Sequence, residues 1–281
     1  MKRLVITADD FGASLEVNEA VEQACRHGIL RAASLMVAGD AAADAVARAR
    51  ALPQLGVGLH IVLVEGRPVL PPAQIPALVG ADGLFRADMV RMAFQIFASP
   101  SARAQLCAEV EAQFAAFAAT GLRLDHVNAH KHFHLHPTIA AAILRSGLRH
   151  GMKAIRAPVE PRHVLGAIDG VRRSPRIETL WARRVRKGMR NAGQTVPDAV
   201  FGLAWSGAMT VARMRGLLAH LPDGLTEIYT HPATGVYPGS AVGYDYAGEL
   251  AALTDPAAAD LIVDGGITLG CFADFARGAL S

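Results

Sequence analysis

Short β-rich apolar runs alternate with alanine-rich helical stretches along this 281-residue chain, and that alternation restricts its fold more than any other feature. Eight segments are predicted as strands: 3–8, 32–38, 56–63, 124–129, 153–157, 199–204, 225–231 and 266–271. Eight others are predicted as helices: 14–27, 39–51, 102–120, 137–150, 176–191, 210–221, 246–254 and 256–264. Repeated strand–helix alternation indicates an α/β fold with a parallel sheet, and seven or eight strands favour a closed barrel.

Two segments interrupt this alternation. Residues 64–100 are rich in proline, and residues 158–198 are rich in proline and arginine. We expect both to be long excursions from a single barrel domain that spans residues 1–281. Long insertions in a compact domain are more often functional than idle.

Positive charge is concentrated in one part of a chain whose net charge is only +3. Eight basic residues lie between 172 and 190, opposed only by Glu178. A nucleic-acid-binding protein would be basic over a wider surface with interleaved aromatic residues, so nucleic acid is not expected as a partner. No apolar run is long enough to span a bilayer, and none resembles a signal peptide, which predicts a cytoplasmic protein.

The basic segment also has an amphipathic pattern. Leu180, Trp181, Val185 and Met189 recur mostly at intervals of four between the charges. Such a helix either rests on an anionic membrane, here the inner face of the cytoplasmic membrane, or packs its apolar stripe on the barrel. The sequence leaves both readings open.

Histidine is densest in "HVNAHKHFHLHP", residues 126–137. In an extended segment, His130, His132, His134 and His136 would all point to one side. Pro137 suits the first turn of the following helix. The cluster is therefore predicted at the carboxyl rim of the barrel, where barrel enzymes carry their catalytic residues.

Other polar residues end neighbouring strands. Asp9 and Asp10 follow the first strand, His60 lies at the third, and His231 ends the seventh. Each has an ordinary explanation by itself, as a helix cap, a core histidine or a loop residue. Their convergence at one rim with the histidine cluster is harder to explain by packing alone.

Imidazole and carboxylate groups without thiolates suit one catalytic divalent metal ion with open coordination positions. One aspartate and two histidines can hold the ion, a second aspartate can act as general base, and an opposing histidine can protonate a leaving group. Histidine ligands favour Zn²⁺ over Mg²⁺ on softness, although Mg²⁺ remains an option. A glycoside hydrolase would instead need two separated carboxylates.

Four ordered motifs, "TADDFG", "GLH", "HVNAHKHFH" and "THPA", resemble those of the YdjC-like carbohydrate deacetylases across essentially the whole chain. The stretches "VFGLAWSGAMT" and "EIYTHPAT" resemble a narrower branch, the hopanoid biosynthesis-associated HpnK proteins. The resemblance implies a distorted TIM-type barrel. It also implies hydrolytic removal of an N-acetyl group from an amino sugar by an enzyme with a bound divalent metal ion.

The resemblance also assigns roles to individual residues. It implies a metal site made of Asp10, His60 and His130. Asp9 becomes the general base, and His231 becomes the general acid or a support for the oxyanion. His132 and His134 are expected to orient the metal ligands or to meet the substrate.

Further residues are expected around the substrate or behind the metal ligands: Asn128, Arg156, Trp205, Tyr237 and Tyr244. Many relatives have aspartate at the position of Asn128, so an uncharged amide there should orient its neighbours more weakly. The tyrosines belong to the glycine-rich loop after His231, which could act as a lid. Trp205 could line the same pocket or belong to the core.

The branch resemblance implies N-acetylglucosaminyl hopanoid as substrate, giving glucosaminyl hopanoid and acetate. Soluble chitooligosaccharides such as chitobiose are the alternative substrates. A metal-binding protein or a membrane-associated scaffold is the alternative without catalysis. The sequence does not decide whether the chain forms a homodimer.

Overall fold

The computed structural model describes residues 1–171 and 177–276. In these residues the strands are β1 Lys2–Phe11, β2 Ala32–Leu35, β3 Gly56–Ile61, β4 Val127–Ala129, β5 Ala199–Phe201, β6 Gly224–Thr230 and β7 Thr268–Leu269. The helices are α1 Leu15–His27, α2 Ala42–Arg50, α3 Met89–Ala98, α4 Pro100–Ala119, α5 Pro137–Arg149, α6 Arg162–Asp169, α7 Ile177–Asn191, α8 Val211–Ala219, α9 Tyr246–Leu253, α10 Pro256–Asp264 and α11 Phe272–Phe275. Two 3₁₀ helices cover Pro72–Gln74 and His130–Leu135.

The strands form one parallel sheet in the order β4-β3-β2-β1-β6-β5, with β7 beside the start of β1. The segment 153–159 lies between the two outer strands. The amide of Arg156 donates to Val127 in β4 at 3.0 Å, and the amide of Val200 in β5 donates to Val159 at 3.0 Å. The sheet therefore curls into a distorted barrel, which confirms the predicted α/β barrel class.

The central strand shows why these sequences pair in parallel. Leu4, Val5, Ile6 and Ala8 of β1 are all fully buried, on both faces of the strand. Strands covered on both faces read as continuous apolar runs instead of alternating ones. The helices pack on the outer face, and several begin at residues suited to a helix start, such as Ser14, whose hydroxyl accepts from the amide of Val17.

Two predictions of secondary structure are wrong. Residues 153–157 form only isolated bridges, at Ala154 and Ile155, and Pro158 has no amide hydrogen with which to extend them. The histidine segment is not extended. It forms a kinked 3₁₀ helix in which Lys131 and His132 both have positive φ.

The two excursions contain helices that the sequence pattern did not predict. The first, 64–100, holds α3, and the second, 158–198, holds α6 ahead of α7. Helix α3, "MVRMAFQIFA", carries its two polar residues, Arg91 and Gln95, on one side, but it lies within a proline-rich stretch that favours irregular structure.

Helix α7 covers most of the predicted helix 176–191, while 172–176 lie outside the described residues. Met189 is buried and Val185 is partly buried, whereas Leu180 and Trp181 are exposed. The predicted apolar stripe is therefore split between the core and the surface. No helix of the described residues combines the length and the apolar character needed to cross a bilayer.

Candidate metal centre and catalytic site

A bulge at the end of β1 separates the two adjacent aspartates. Ala8 pairs with Ala33 but Phe11 pairs with Leu35, so β1 holds one more residue than β2 over this stretch. Asp10 sits in the left-handed region with φ of 61°, a conformation that aspartate tolerates better than most residues. As a result Asp9 is buried, and Asp10 reaches the rim beside two cavities.

The three expected metal ligands come together at this rim. Asp10 Oδ1 lies 3.2 Å from His60 Nε2 and 3.2 Å from His130 Nδ1. The two ring nitrogens are 3.3 Å apart. Three ligands around a tetrahedral Zn²⁺ at bond lengths of about 2.0–2.1 Å would be separated by about 3.3 Å, so the donor set fits a divalent ion.

Asn128 links this triad to Asp9. Its Oδ1 lies 2.6 Å from Nδ1 of His60, and its Nδ2 donates to Asp9 Oδ1 at 2.9 Å. With the carbonyl oxygen as acceptor, Nδ1 of His60 carries the proton and Nε2 offers its lone pair to the metal site. The uncharged amide thus orients two groups by direct contact, where an aspartate would place a second negative charge against Asp9.

Arg156 holds Asp9 in a buried ion pair. Its Nη1 and Nη2 donate to the two oxygens of Asp9 at 2.6 and 2.9 Å, and its Nε donates to Glu227 at 2.9 Å. Burial by itself would raise the pKa of Asp9, but the charge of Arg156 holds that pKa well below its ordinary value. Asp9 is therefore ionised at neutral pH.

Glu227 is a site residue that our sequence reasoning missed. It is fully buried, shares Arg156 with Asp9, and accepts from Thr7 Oγ1 at 3.0 Å. A signal was present, because Glu227 and Tyr229 of β6 and His231 directly after it alternate along the chain and so lie on one side of it. A glutamate within an apolar strand was a second signal, because glutamate is almost never fully buried unless it is paired.

The other histidines of the cluster have different surroundings. His132 Nε2 lies 2.9 Å from the hydroxyl of Tyr229, and His134 Nε2 donates to the carbonyl of Arg156 at 2.9 Å. Burial lowers the pKa of His132 well below its ordinary value and lowers the pKa of His134 to about 3. Both rings are neutral and position Tyr229 and Arg156, and only His132 lines the cavity.

His126, outside the predicted site, is wholly buried between Ser34 and Asp125, with contacts of 2.9 Å to each. His136 lies at the cavity, where burial lowers its pKa. Of the five clustered histidines, His130 alone joins Asp10 and His60.

His231, the residue after β6, faces the same cavity. Its ring lies 5.6 Å from that of Tyr229 and 5.4 Å from that of Tyr244. Its Nδ1 is buried and has no hydrogen-bond partner among the described residues, while its backbone amide donates to the buried Glu249. Packing against the two tyrosines therefore holds the imidazole in place at the cavity wall.

The main cavity has a volume of about 1170 Å³ and contains Asp9, the triad and His231 in its lining. Tyr237 and Tyr244 also line it, as does Tyr246 from the start of α9. A second cavity, of about 660 Å³, meets the first at Asp10, His130 and Tyr237. The triad thus lies where two open spaces join.

Trp205 lines neither of the two cavities, and of the two positions that the sequence left open it takes the one in the core. It is buried, with the Arg213 guanidinium 5.1 Å from the ring centre. Its neighbours Ala204 and Ser206 line the main cavity, and the indole between them packs into the core.

Comparison of this sequence with known proteins finds one family and several related enzymes that match most of the chain. A family model described as "YdjC-like protein" matches residues 3–264. A carbohydrate deacetylase of Geobacillus stearothermophilus is 29% identical over 96% of this chain and 97% of its own length. A chitooligosaccharide deacetylase of Enterobacter sp. (strain 638) is 29% identical over 97% of this chain and 99% of its own length.

Among solved structures, a proposed cellobiose-phosphate cleavage protein of Enterococcus faecalis V583 superimposes with a TM-score of 0.79. The superposition covers 98% of this chain and 99% of that protein, at 22% sequence identity. At that identity the likeness supports the distorted barrel and nothing finer.

Proposed function

Because the chain belongs to the YdjC-like family, we propose that it is a metal-dependent carbohydrate deacetylase that hydrolyses the N-acetyl group of an amino sugar. The observation that carries this proposal is the meeting of the triad Asp10, His60 and His130 with the ionised carboxylate of Asp9 in one cavity. This arrangement supplies a metal site and a separate base, which amide hydrolysis by water requires.

A divalent ion held by the triad would supply a Lewis acid for the acetyl carbonyl and for the attacking water. We favour Zn²⁺ because two of the three ligands are imidazoles, with Mg²⁺ as the alternative. The carboxylates of Asp10 and Asp9 favour a cation here. Although burial opposes protonation of His60, these charges raise its pKa above the ordinary value.

Asp9 removes the proton from water through Oδ2. Its Oδ1 accepts from Arg156, Asn128 and Ser34, whereas Oδ2 accepts only from Arg156 among the described residues. A carboxylate oxygen has two lone-pair sites, so Oδ2 keeps one for the water. Glu227 balances part of the charge of Arg156, which limits how far Arg156 lowers the basicity of Asp9.

His231 gives a proton to the departing sugar amine, or supports the oxyanion if it stays protonated. It lines the cavity from the position after β6, and the triad residues line the same cavity from β1, β3 and the segment after β4. Packing against Tyr229 and Tyr244 restricts its ring. General acid–base groups of this kind contribute about 10²–10⁴-fold to rate.

For the substrate we favour an N-acetylglucosaminyl hopanoid, deacetylated to glucosaminyl hopanoid and acetate. The sequence likeness to the hopanoid-associated branch supports it, as does the apolar part of the cavity lining at Met89, Phe133, Leu135 and Leu203. Chitooligosaccharides are the second candidate. The name of the Enterobacter relative favours them, and the second cavity beyond the triad would give room for sugar units on both sides.

Acetate release decides between these substrates. The metal-loaded protein is incubated with N-acetylglucosaminyl hopanoid and, separately, with chitobiose. Activity on one alone identifies the branch, and no acetate from either or from other N-acetyl amino sugars would contradict the proposed function. Asp9→Asn should lower the rate about 10²–10⁴-fold with metal content unchanged, while Asp260→Asn, an exposed carboxylate on α10, should not.

A further inference from the structure

Helix α3 exposes an apolar stripe to solvent. Val90, Phe94 and Phe97 are 82%, 71% and 67% exposed. They lie at positions i, i+4 and i+7, and so follow one side of the helix. Large apolar side chains grouped on a surface mark an interaction site more often than chance exposure does.

The stripe lies next to the mouth of the main cavity. On the opposite side of α3, Met92 and Ile96 are buried in the core. Between these two sides, Met89 lines the cavity, and the imidazole of His136 on the cavity wall lies close to the backbone of Ala93. The exposed apolar surface therefore continues into the site.

The start of α7 adds apolar surface at the same mouth. Leu180 and Trp181 are exposed, and the indole of Trp181 donates to the carbonyl of Leu135. Leu135 and Thr179 line the cavity. Helices α3 and α7 thus both contact the segment 130–136, and we call Val90, Phe94, Phe97, Leu180 and Trp181 the rim face.

Most charges beside the rim face are positive, with the exposed Asp88 at the start of α3 as the exception. Arg91 of α3 is exposed next to the stripe, and α7 exposes Arg183, Arg184 and Lys187. From residue 179 to 191 the sequence has no acidic residue to offset them. A second copy of this chain would bring like charges together, whereas anionic lipid headgroups would complement them.

We propose that the rim face binds the surface of an anionic lipid bilayer, with its apolar side chains among the headgroups and the cavity mouth turned towards the membrane. Apolar side chains bordered by arginine and lysine are the composition of helices that lie in the membrane interface. Membrane binding does not require catalysis, so vesicle binding can be tested independently of the deacetylase activity. It would bring a membrane-embedded glycolipid to the triad without removing its lipid part from the bilayer.

Vesicle co-sedimentation of the full chain tests the proposal. We expect the protein to sediment with phosphatidylcholine vesicles that contain phosphatidylglycerol, and less with phosphatidylcholine alone or at high salt. The double variant Phe94→Glu, Phe97→Glu should bind at least about tenfold more weakly, because two aromatic side chains no longer enter the interface. Charge reversal at Arg183, Arg184 and Lys187 should abolish the preference for phosphatidylglycerol.

The matched control is Val263→Glu on α10, which replaces an equally exposed apolar side chain outside the rim face. It should bind vesicles like the wild type, and thermal melts should show that every variant is folded. Wild-type protein that stays in the supernatant with both vesicle types would overturn the proposal, as would full binding by the Phe94/Phe97 variant. A dimer that dissociates in that variant, without vesicle binding, would assign the face to a second copy.

Discussion

Arg156 is the residue on which the buried part of the site depends. It lies between Asp9 and Glu227, which are both almost wholly buried, and a third contact places its guanidinium 4.4 Å from the ring centre of Tyr229. Removing one partner of a buried ion pair leaves a charge without compensation. The stability of this buried cluster therefore depends on the Arg156 guanidinium far more than a surface ion pair contributes to stability.

Arg156→Met should lower the free energy of unfolding by about 3–5 kcal/mol at neutral pH, measured by urea denaturation. Arg215→Met breaks a bidentate pair with Asp255 at the surface and should leave stability nearly unchanged. Equal losses in the two variants would contradict the assigned role of Arg156.

The same pair predicts a pH dependence. The pKa of Asp9 is lower in the folded protein than its ordinary value of 3.8, so its ion pair stabilises the fold above that pH. This contribution is lost as the pH falls further and Asp9 becomes protonated. The difference in stability between wild type and Arg156→Met should therefore narrow as the pH is lowered below about 4, and a constant difference would count against the pairing.

At the scale of the elements, β3 is positioned by a close contact. A Cβ at Gly58 would lie 2.5–2.6 Å from the ring of His126, which is wholly buried. Since His60 follows two residues later on the same face, this contact helps to set where β3 presents the imidazole of His60.

Gly58→Ala should destabilise the protein by about 1–3 kcal/mol, because a buried ring must move to admit the methyl group. Gly188→Ala, in exposed helix α7 with nothing within 4 Å of the new Cβ, should instead stabilise it by about 0.5–1 kcal/mol. Thermal melts of both variants check the opposite signs. A lower melting temperature in the Gly188→Ala variant would show that helix propensity does not determine the stability of α7.

The helices and strands were predicted correctly from the sequence where one local signal was strong. Residues 256–264 form the helix predicted there, and His60 lies in β3 as expected, while β1 runs on to Phe11 and so includes the two aspartates that were expected at its end. Prediction failed where tertiary contacts decide the backbone, as at His130–Leu135, or where a helix lies within a proline-rich stretch, as α3 does. Glu227 was missed because its importance depends on Arg156, which lies 71 residues earlier in the chain.

At the scale of the whole molecule, the triad joins distant parts of the chain. Asp10 belongs to β1, His60 to β3 and His130 to the turn after β4, so a bound ion would tie three segments of the barrel rim. An ion that binds only the folded chain stabilises it in proportion to the logarithm of its concentration.

Chelation should therefore lower the melting temperature, and added Zn²⁺ should restore it. At a free metal concentration 100 times the Kd, the gain is about 2.7 kcal/mol. Titrating Zn²⁺ and Mg²⁺ in separate scanning-calorimetry experiments would compare the two ions, and Asp10→Asn should lose most of the metal-dependent shift. A shift that survives in Asp10→Asn would place the stabilising ion elsewhere.

The bulge adds one residue at the end of β1 and so changes the side of the strand to which the next side chain points. In a regular strand the residue after Asp9 would face the helices outside the barrel, and a single extra position turns it towards the cavity instead. The position of Asp10 therefore depends on the number of residues in this part of β1 as much as on their identity. A one-residue deletion that keeps both aspartates would leave every proposed site residue in the chain, but Asp10 would no longer meet His60 and His130.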